Sequence, residues 1–122
     1  MAFHVQKTLL ASAARTATVA TADQRNRAHQ GVRIHIKATA ADATPSVVFT
    51  IQGKDAITDD YYTLLASAAV TGVSETFLLV YPTVTASANA AANNVLPASW
   101  RVNCVAADAD SITYTVTAEL LA

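Results

Sequence analysis

Apolar and polar residues alternate along much of this 122-residue chain, a pattern typical of β-strands that bury one face. Clear cases are "GVRIHIKAT" and "SITYTVTAEL", where threonine suits a strand because its side chain branches at Cβ. Each stretch is therefore predicted to be a half-buried strand. The predicted core faces are Val32, Ile34, Ile36 and Ala38 in the first, and Ile112, Tyr114, Val116, Ala118 and Leu120 in the second.

Six further stretches have strand character, and together the strands recur about every 10 to 15 residues with no long helical period. This spacing predicts an all-β fold, an antiparallel β-sandwich of about seven or eight strands. From its length we expect residues 1–122 to form one domain, with residues 1–15 as a candidate N-terminal arm, and jelly-roll wiring remains open. The six stretches are "HVQKTLL", "TATVAT", "SVVFTIQG", "YYTLLA", "TFLLVY" and "SWRVNCVA".

The connections between strands suggest how neighbours pair. The turn sequence "DATP" predicts a hairpin of "GVRIHIKAT" with "SVVFTIQG", and a turn at Gly72 predicts that "YYTLLA" pairs with "TFLLVY". The segment 83–100 is rich in Ala and Asn, so we expect a short helical turn or a long ordered loop there. Long loops of this kind are often functional.

Composition limits the classes of function. The chain is 52% hydrophobic but only 7% aromatic, so its core must consist largely of small side chains. The net charge of −1, without clustered Lys and Arg, argues against a nucleic-acid partner. No run approaches the length of a membrane span, so we expect no membrane partner and a soluble, unexported chain. The single Cys104 excludes an internal disulfide and a Cys-based zinc cluster, consistent with a reducing cytosol.

Three acids in "KDAITDD", Asp55, Asp59 and Asp60, raise the question of a metal or acid/base site. They lack the ligand order of a calcium loop, and they fall where two strands must be joined. We interpret them as solvated turn acids, flanked by Ile51 and Leu64 as predicted core residues. The pair in "ADADS" has the same interpretation, because Asp side chains cap backbone N–H groups in turns: Asp108 and Asp110.

Other reactive residues are scattered. His4, His29 and His35 are too far apart in sequence to suggest a joint metal site, and His35 has cationic neighbours on its strand. Cys104 shares strand parity with Trp100 and is predicted to be a small core residue. Neither a nucleophile elbow nor a glycine-rich phosphate loop is present, so the sequence predicts no enzyme, no catalytic or metal site and no cofactor.

Four aromatic residues, Tyr61, Tyr62, Tyr81 and Trp100, offer an alternative function as a sugar-binding platform. Their competing interpretation is packing, with the Tyr hydroxyls hydrogen-bonded at sheet edges. Because Tyr61 and Tyr62 are adjacent, a strand would direct them to opposite faces, and we expect at least one of them in the core.

Several pieces of the chain are familiar as sequence: "TIQGKD", "NNVLPASWRV" and "ADADSITYTV", together with "GVRIHIKAT" and "YYTLLASAA". Over residues 30–120 the chain resembles a group of small virion structural proteins encoded by tailed bacteriophages and prophages, usually near the capsid genes. It departs from that group at "AITDD", where similar proteins carry a Pro/Gly-type turn. The shared pieces resemble strand ends and loops, so the likeness implies a structural role.

What the resemblance implies most directly is a capsid decoration or cement protein, made in the host cytoplasm and located on the capsid surface of the virion. Its expected partners are the major capsid protein and other copies of itself, as a dimer or trimer. The expected contact regions are residues 2–15 and the loop 83–98, because arms and long loops reach neighbouring subunits. Alternatives are a head–tail connector, a tail component and a carbohydrate-binding module.

Overall fold

The computed structural model of the chain describes residues 3–122. Within that range ten β-strands form and no α-helix does. Three of the strands have only two or three residues, which explains why the sequence pattern predicted fewer. The strands are β1 Val5–Arg15, β2 Val19–Ala20, β3 Gln24–Arg25, β4 Gly31–Ala41, β5 Val47–Lys54, β6 Tyr61–Ala66, β7 Ser74–Tyr81, β8 Ala91–Asn93, β9 Ser99–Ala106 and β10 Ile112–Leu121.

Two sheets pack face to face, which confirms the predicted all-β sandwich. One, the long sheet, has the strand order β1-β10-β4-β7-β8. The other, the short sheet, has the order β2-β9-β5-β6, with β3 also paired to β9. All neighbours are antiparallel except β7 and β8, which run parallel.

The core lies between the sheets and follows the predicted alternation. In β10 every second residue from Ile112 to Leu120 is buried, and the threonines between them face outward and are half-buried. Phe49 of the short sheet meets Tyr114 of the long sheet edge to face, with ring centroids 5.0 Å apart, a favoured aromatic geometry. The largest fully buried side chains include Trp100, Tyr114, Phe49, Ile34, Ile36, Ile51, Leu78 and Ile112.

Both predicted hairpin pairings are wrong. Strands β4 and β5 lie in different sheets, as do β6 and β7, so residues 42–46 and 67–73 cross from one sheet to the other. Stacked sheets are only about 10 Å apart, a distance that a link of four or five extended residues spans easily. An alternating strand buries one face in either arrangement, so the sequence pattern does not distinguish a hairpin from a crossing.

The predicted connection at the three acids does join a hairpin, formed by β5 and β6. Its register shifts by one residue between the pairs Ile51–Leu65 and Gln52–Thr63, so that Leu64 is the extra residue of a bulge. Leu65 is therefore the buried leucine, whereas the predicted core residue Leu64 is partly buried and packs against the core. A bulge of this kind reverses the side-chain parity beyond it.

The segment 82–98 is an ordered connection that contains β8 and a single turn of helical type, in which the N–H groups of Ala90 and Ala91 donate to the carbonyl of Ser87. Thr83 has a positive φ of 71°, and its N–H donates to Oδ1 of Asn93 at 2.9 Å. Leu96 is buried, and its N–H donates to the carbonyl of Gln30, while Asn26 donates to the carbonyl of Leu96. These bonds fix the end of the connection to the loop 26–30.

Candidate protein-contact surface

The least covered part of the sandwich is β1. This strand pairs with β10 along its length, yet only Leu9, Leu10 and Arg15 are half-buried and its other eight residues are exposed. Phe3, just before the strand, is 72% exposed, and Val5 is 43% exposed. An exposed strand of this length has conformational order but little buried apolar area, so it offers surface for a partner.

The exposure of β1 follows from the unequal sheets. On this side the short sheet ends in β2 and β3, which have two residues each, so nothing long covers the inner face of β1. Cross-strand pairing places Val5 opposite Leu120 and Lys7 opposite Ala118, both core-facing residues of β10. Val5 and Lys7 thus point to the side that is core elsewhere in the sheet.

The far end of β1 is anchored by Arg15. Its Nη1 donates to the carbonyl of Tyr114 at 2.6 Å and to that of Ala13 at 3.2 Å, and its Nη2 donates to Ala11 at 2.6 Å. The guanidinium also lies 4.5 Å from the centroid of the Tyr114 ring. Because register shifts occur along Thr8–Ala13, these donors satisfy carbonyls where the ladder is irregular. This role of Arg15 was not predicted from the sequence, where its only signal is a lone cation at the end of the small-residue run "ASAA".

The second predicted contact region, the loop 83–98, is only partly available. Its exposed residues are Thr83, residues 85–90, residues 93–95 and Ala98, and Val95 is 56% exposed. The turn at Ser87 is closed by backbone bonds with Ala90 and Ala91. In the first predicted region, residues 2–15, β1 takes up residues 5–15 and residues 3 and 4 come just before it, while residue 2 lies outside the described residues.

The three acids of "KDAITDD" lie in the β5–β6 turn. Oδ1 of Asp55 accepts from the N–H groups of Ile57 at 2.9 Å and Thr58 at 3.3 Å, as an Asp does when it caps a turn. Asp59 has a φ of 64°, and its carboxylate lies 3.5 Å from Nζ of Lys54. These contacts account for the acids as turn residues.

The second acid pair joins two connections at the opposite end of the sandwich. Oδ2 of Asp110 accepts from the N–H and the hydroxyl of Thr44, and Asp108 accepts from the N–H of Asp110 at 3.1 Å. Across residues 3–122, no group of three or more His, Cys, Asp or Glu side chains is placed to hold a metal ion.

His29 and His35 have different surroundings. His35 lies on the outer face of the long sheet, stacks on Phe77 with centroids 4.5 Å apart, and places Nε2 3.0 Å from Glu75. His29 contacts the carbonyl of Phe3 at 2.6 Å. Beside His35 a shallow groove of about 430 Å³ runs toward β1, lined in part by Gln6, Lys7, Thr8, Arg33 and Glu119.

A polar network on the outer face of the short sheet was also missed from sequence. The Tyr61 hydroxyl donates to Asp23 at 2.7 Å, Lys54 contacts the same carboxylate at 3.1 Å, and the guanidinium of Arg101 lies 3.5 Å from the Tyr61 centroid. The Tyr61 hydrogen bond, followed by the Lys54 bond, lowers the pKa of Asp23. The hydrogen bond that Lys54 donates to Asp23 raises the pKa of Lys54. All these groups have partners, so the network fixes the β2–β3 loop to the sheet.

The four candidate aromatic residues do not share one surface. Trp100 is 0% exposed, and the hydroxyl of half-buried Tyr81 donates to the carbonyl of Ala122. Tyr61 is half-buried and Tyr62 is 44% exposed, so the expectation that one of them belongs to the core is wrong. Strand β6 is an edge strand, and the Tyr62 ring instead covers Gly53, where any Cβ would collide with it.

Cys104 is buried with Trp100 and Val102, as its strand parity predicted. Burial raises the pKa of its thiol to about 11, and burial likewise raises the pKa of neighbouring Tyr114. A thiol held neutral in this way is a poor nucleophile, because the reactive species is the thiolate. Cys104 therefore acts as a small core residue.

Searches against protein-family models, curated proteins and solved structures found no match to this chain. Among residues 3–122 no helix is long and apolar enough to span a membrane. The geometry itself leaves β1, with the neighbouring groove, as the surface best suited to contact another protein.

Proposed function

We propose that this protein is a capsid decoration or cement protein of a tailed bacteriophage, which binds the lattice of the major capsid protein and stabilises it. The observation that carries the proposal is β1, an ordered strand with eight exposed residues on a domain whose other long strands are well covered. The resemblance to small phage virion proteins that we inferred from "TIQGKD", "NNVLPASWRV" and "ADADSITYTV" supplies the context for that surface.

The physical role follows from mass action. A protein that binds the assembled lattice but not free subunits stabilises the lattice in proportion to its occupancy. Copies that contact two subunits each gain from effective concentration, so contacts that are individually weak sum to a large effect around a shell. A sandwich with one exposed, ordered strand suits this role, because preformed contact surfaces commonly bind with little movement of the backbone.

A second feature supports a contact role rather than chemistry. The polar clusters at Asp55, Asp110 and Tyr61 are each explained by hydrogen bonds within the fold. No comparable set of hydrogen bonds within the fold of residues 3–122 accounts for the exposed residues of β1. We therefore assign the binding face to β1 and place the exposed part of the loop 83–98 as a secondary contact.

Cryo-electron microscopy of virions containing the protein tests this proposal. Density in many copies on the outer capsid surface is the expected result. Density confined to the tail or to the portal vertex would overturn it and favour the head–tail or tail role, and quantitative mass spectrometry would then give a low copy number. A glycan array provides the control for sugar binding, for which we expect no signal.

A binding assay with purified expanded shells gives a matched comparison. The variant Asp55→Asn/Asp59→Asn/Asp60→Asn should bind shells like the parent protein, because its changes lie on the β5–β6 turn. The variant Val5→Asp/Thr8→Asp alters β1 at exposed positions and should lose binding while keeping the same melting temperature. Equal binding of shells by both variants would show that β1 is not part of the contact.

A further inference from the structure

Among the open sheet edges in residues 3–122, β1 is the longest. The opposite edge of the long sheet is β8, with three residues, and the edges of the short sheet are β2 and β3, with two each, and β6, with six. Short edge strands are a common protection against unwanted pairing. The protein protects three of its edges better than it protects β1.

Within β1, the stretch Val5–Thr8 has the longest regular ladder. These four residues pair without interruption with Leu120 to Thr117 of β10, whereas register shifts follow after Thr8. Beyond the shifts, Arg15 occupies the carbonyls of Ala11 and Ala13. A regular strand directs every second pair of N–H and C=O groups to its free side, so Val5–Thr8 can accept a further strand.

The charge of β1 determines which kind of strand pairs favourably with Val5–Thr8. Residues 3–15 contain Lys7 and Arg15 and no acidic residue. In every antiparallel pairing of Val5–Thr8 with a second copy that joins three or more residues, Lys7 lies opposite Val5, Gln6 or Lys7 of the copy, and therefore never opposite a carboxylate. A carboxylate directly opposite Lys7 would be favourable, whereas a second lysine there is unfavourable. A foreign acidic strand therefore suits this edge better than a second copy.

The neighbouring side chains add a second requirement. Val5 and Lys7 point to the same side of β1, and that side is not covered by the short sheet. A strand that carries an apolar residue opposite Val5 and an acid opposite Lys7 would cover Val5 and neutralise Lys7 together. The partner segment is thus extended, with an apolar and an acidic residue two positions apart.

We propose that Val5–Thr8 of β1 pairs edge to edge with an extended segment of a partner protein that places a carboxylate opposite Lys7 and an apolar side chain opposite Val5. The partner's place in a capsid shell rests on the proposed function, but the edge pairing does not. Strand addition of this type gains affinity from main-chain bonds and specificity from alternate side chains.

The test uses the full-length ¹⁵N-labelled protein and two synthetic peptides, acetyl-TVTETVT-amide and the same peptide with Lys in place of Glu. The Glu peptide should shift the amide resonances of residues 5–8 and slow their hydrogen exchange. We expect it to bind about fivefold more tightly than the Lys peptide. With the variant Lys7→Glu the preference should reverse, which a general effect of peptide charge on a distant site would not produce.

Three outcomes overturn the inference: no shift at residues 5–8 with the Glu peptide, equal binding of both peptides, or an unchanged preference in Lys7→Glu. Sedimentation showing a dimer that Lys7→Glu strengthens would assign the edge to a second copy instead. Because the peptides contain no capsid protein, peptide binding without shell binding would leave this inference standing and defeat the proposed function. Shell binding without peptide binding would support the proposed function and overturn this inference.

Discussion

Strands β1 and β10 are neighbours in one sheet and of nearly equal length, yet they differ sharply in burial. β10 alternates between buried and half-buried residues throughout, whereas β1 has eight exposed residues of eleven. The stretch "TLLASAA" in β1 is more apolar than "TYTVTAE" in β10. Coverage by the short sheet therefore decides burial here, and hydrophobicity of the strand does not.

The difference in burial between β1 and β10 should have its largest effect on the free energy of unfolding. Ile112→Ala in β10 empties a fully buried site and should lower the free energy of unfolding by about 2–5 kcal/mol. Its matched control, Val5→Ala in β1, should change it by less than about 0.5 kcal/mol, because that side chain is exposed. Urea denaturation measures both. Similar losses in the two variants would mean that β1 is covered after all.

The dependence of stability on pH should also distinguish the two strands. Tyr114 of β10 and its neighbour Cys104 are buried titratable residues, whereas β1 has no buried titratable residue. The folded-state pKa of Cys104, about 11, lies above the ordinary value of 9.0, so stability is complete below pH 9 and falls as pH rises toward 11. The loss is at most about 3 kcal/mol for two pH units. The raised pKa of Tyr114 acts in the same direction at higher pH.

The variant Cys104→Ala tests that assignment. Its stability measured by urea denaturation should depend less steeply on pH between 9 and 11 than that of the parent, whatever its stability at pH 7. An identical slope in both proteins would show that the thiol does not contribute.

A smaller effect should follow from releasing the anchored end of β1. Arg15→Met keeps an aliphatic side chain but removes the donors to Ala11, Ala13 and Tyr114, so we expect a loss of about 1–3 kcal/mol. Arg15→Lys should recover only part of it, because an ammonium lacks the planar fork of a guanidinium. Hydrogen exchange should quicken in β1 and stay slow in β4. Uniform quickening would argue that Arg15 supports the whole core.

The smallest effect is expected at the β5–β6 turn, which is exposed like β1 but closed by its own bonds. Replacing Asp55, Asp59 and Asp60 together by Asn should change stability by no more than about 0.5 kcal/mol at pH 7, since Asn also caps turns and tolerates positive φ. Thermal denaturation provides the measurement. A large loss would mean that the Lys54–Asp59 contact matters more than surface ion pairs usually do.

The sequence predicted which residues face the core, since alternation depends on local geometry alone; Val32, Ile34 and Ile36 are all buried as expected. It did not predict the sheet to which a strand belongs, because a short link can either reverse a strand or cross between sheets. The bulge at Leu64 and the three-residue strand β8 also lack a periodic signal of their own.

The candidate contact surface was predicted only as a region. The segment 2–15 was chosen because of its position, whereas the reason for its exposure, a short sheet that ends in two-residue strands, is a property of the tertiary structure. Arg15 and the Asp23–Tyr61–Lys54 network join residues far apart in the chain, so neither left a motif in the sequence.

The pairing of β1 with β10 also affects when β1 can fold during synthesis of the chain. The Arg15–Tyr114 bond spans 99 positions, and a ribosome that adds about 5–20 residues per second needs roughly 5 to 20 seconds to cover that distance. During that interval β1 is synthesised but has no strand to join, and the crossings between sheets delay most other pairings as well. Slow closure through distant contacts is characteristic of β-sandwiches. We therefore expect β1 to be the strand for which a chaperone, or an early partner, competes during synthesis.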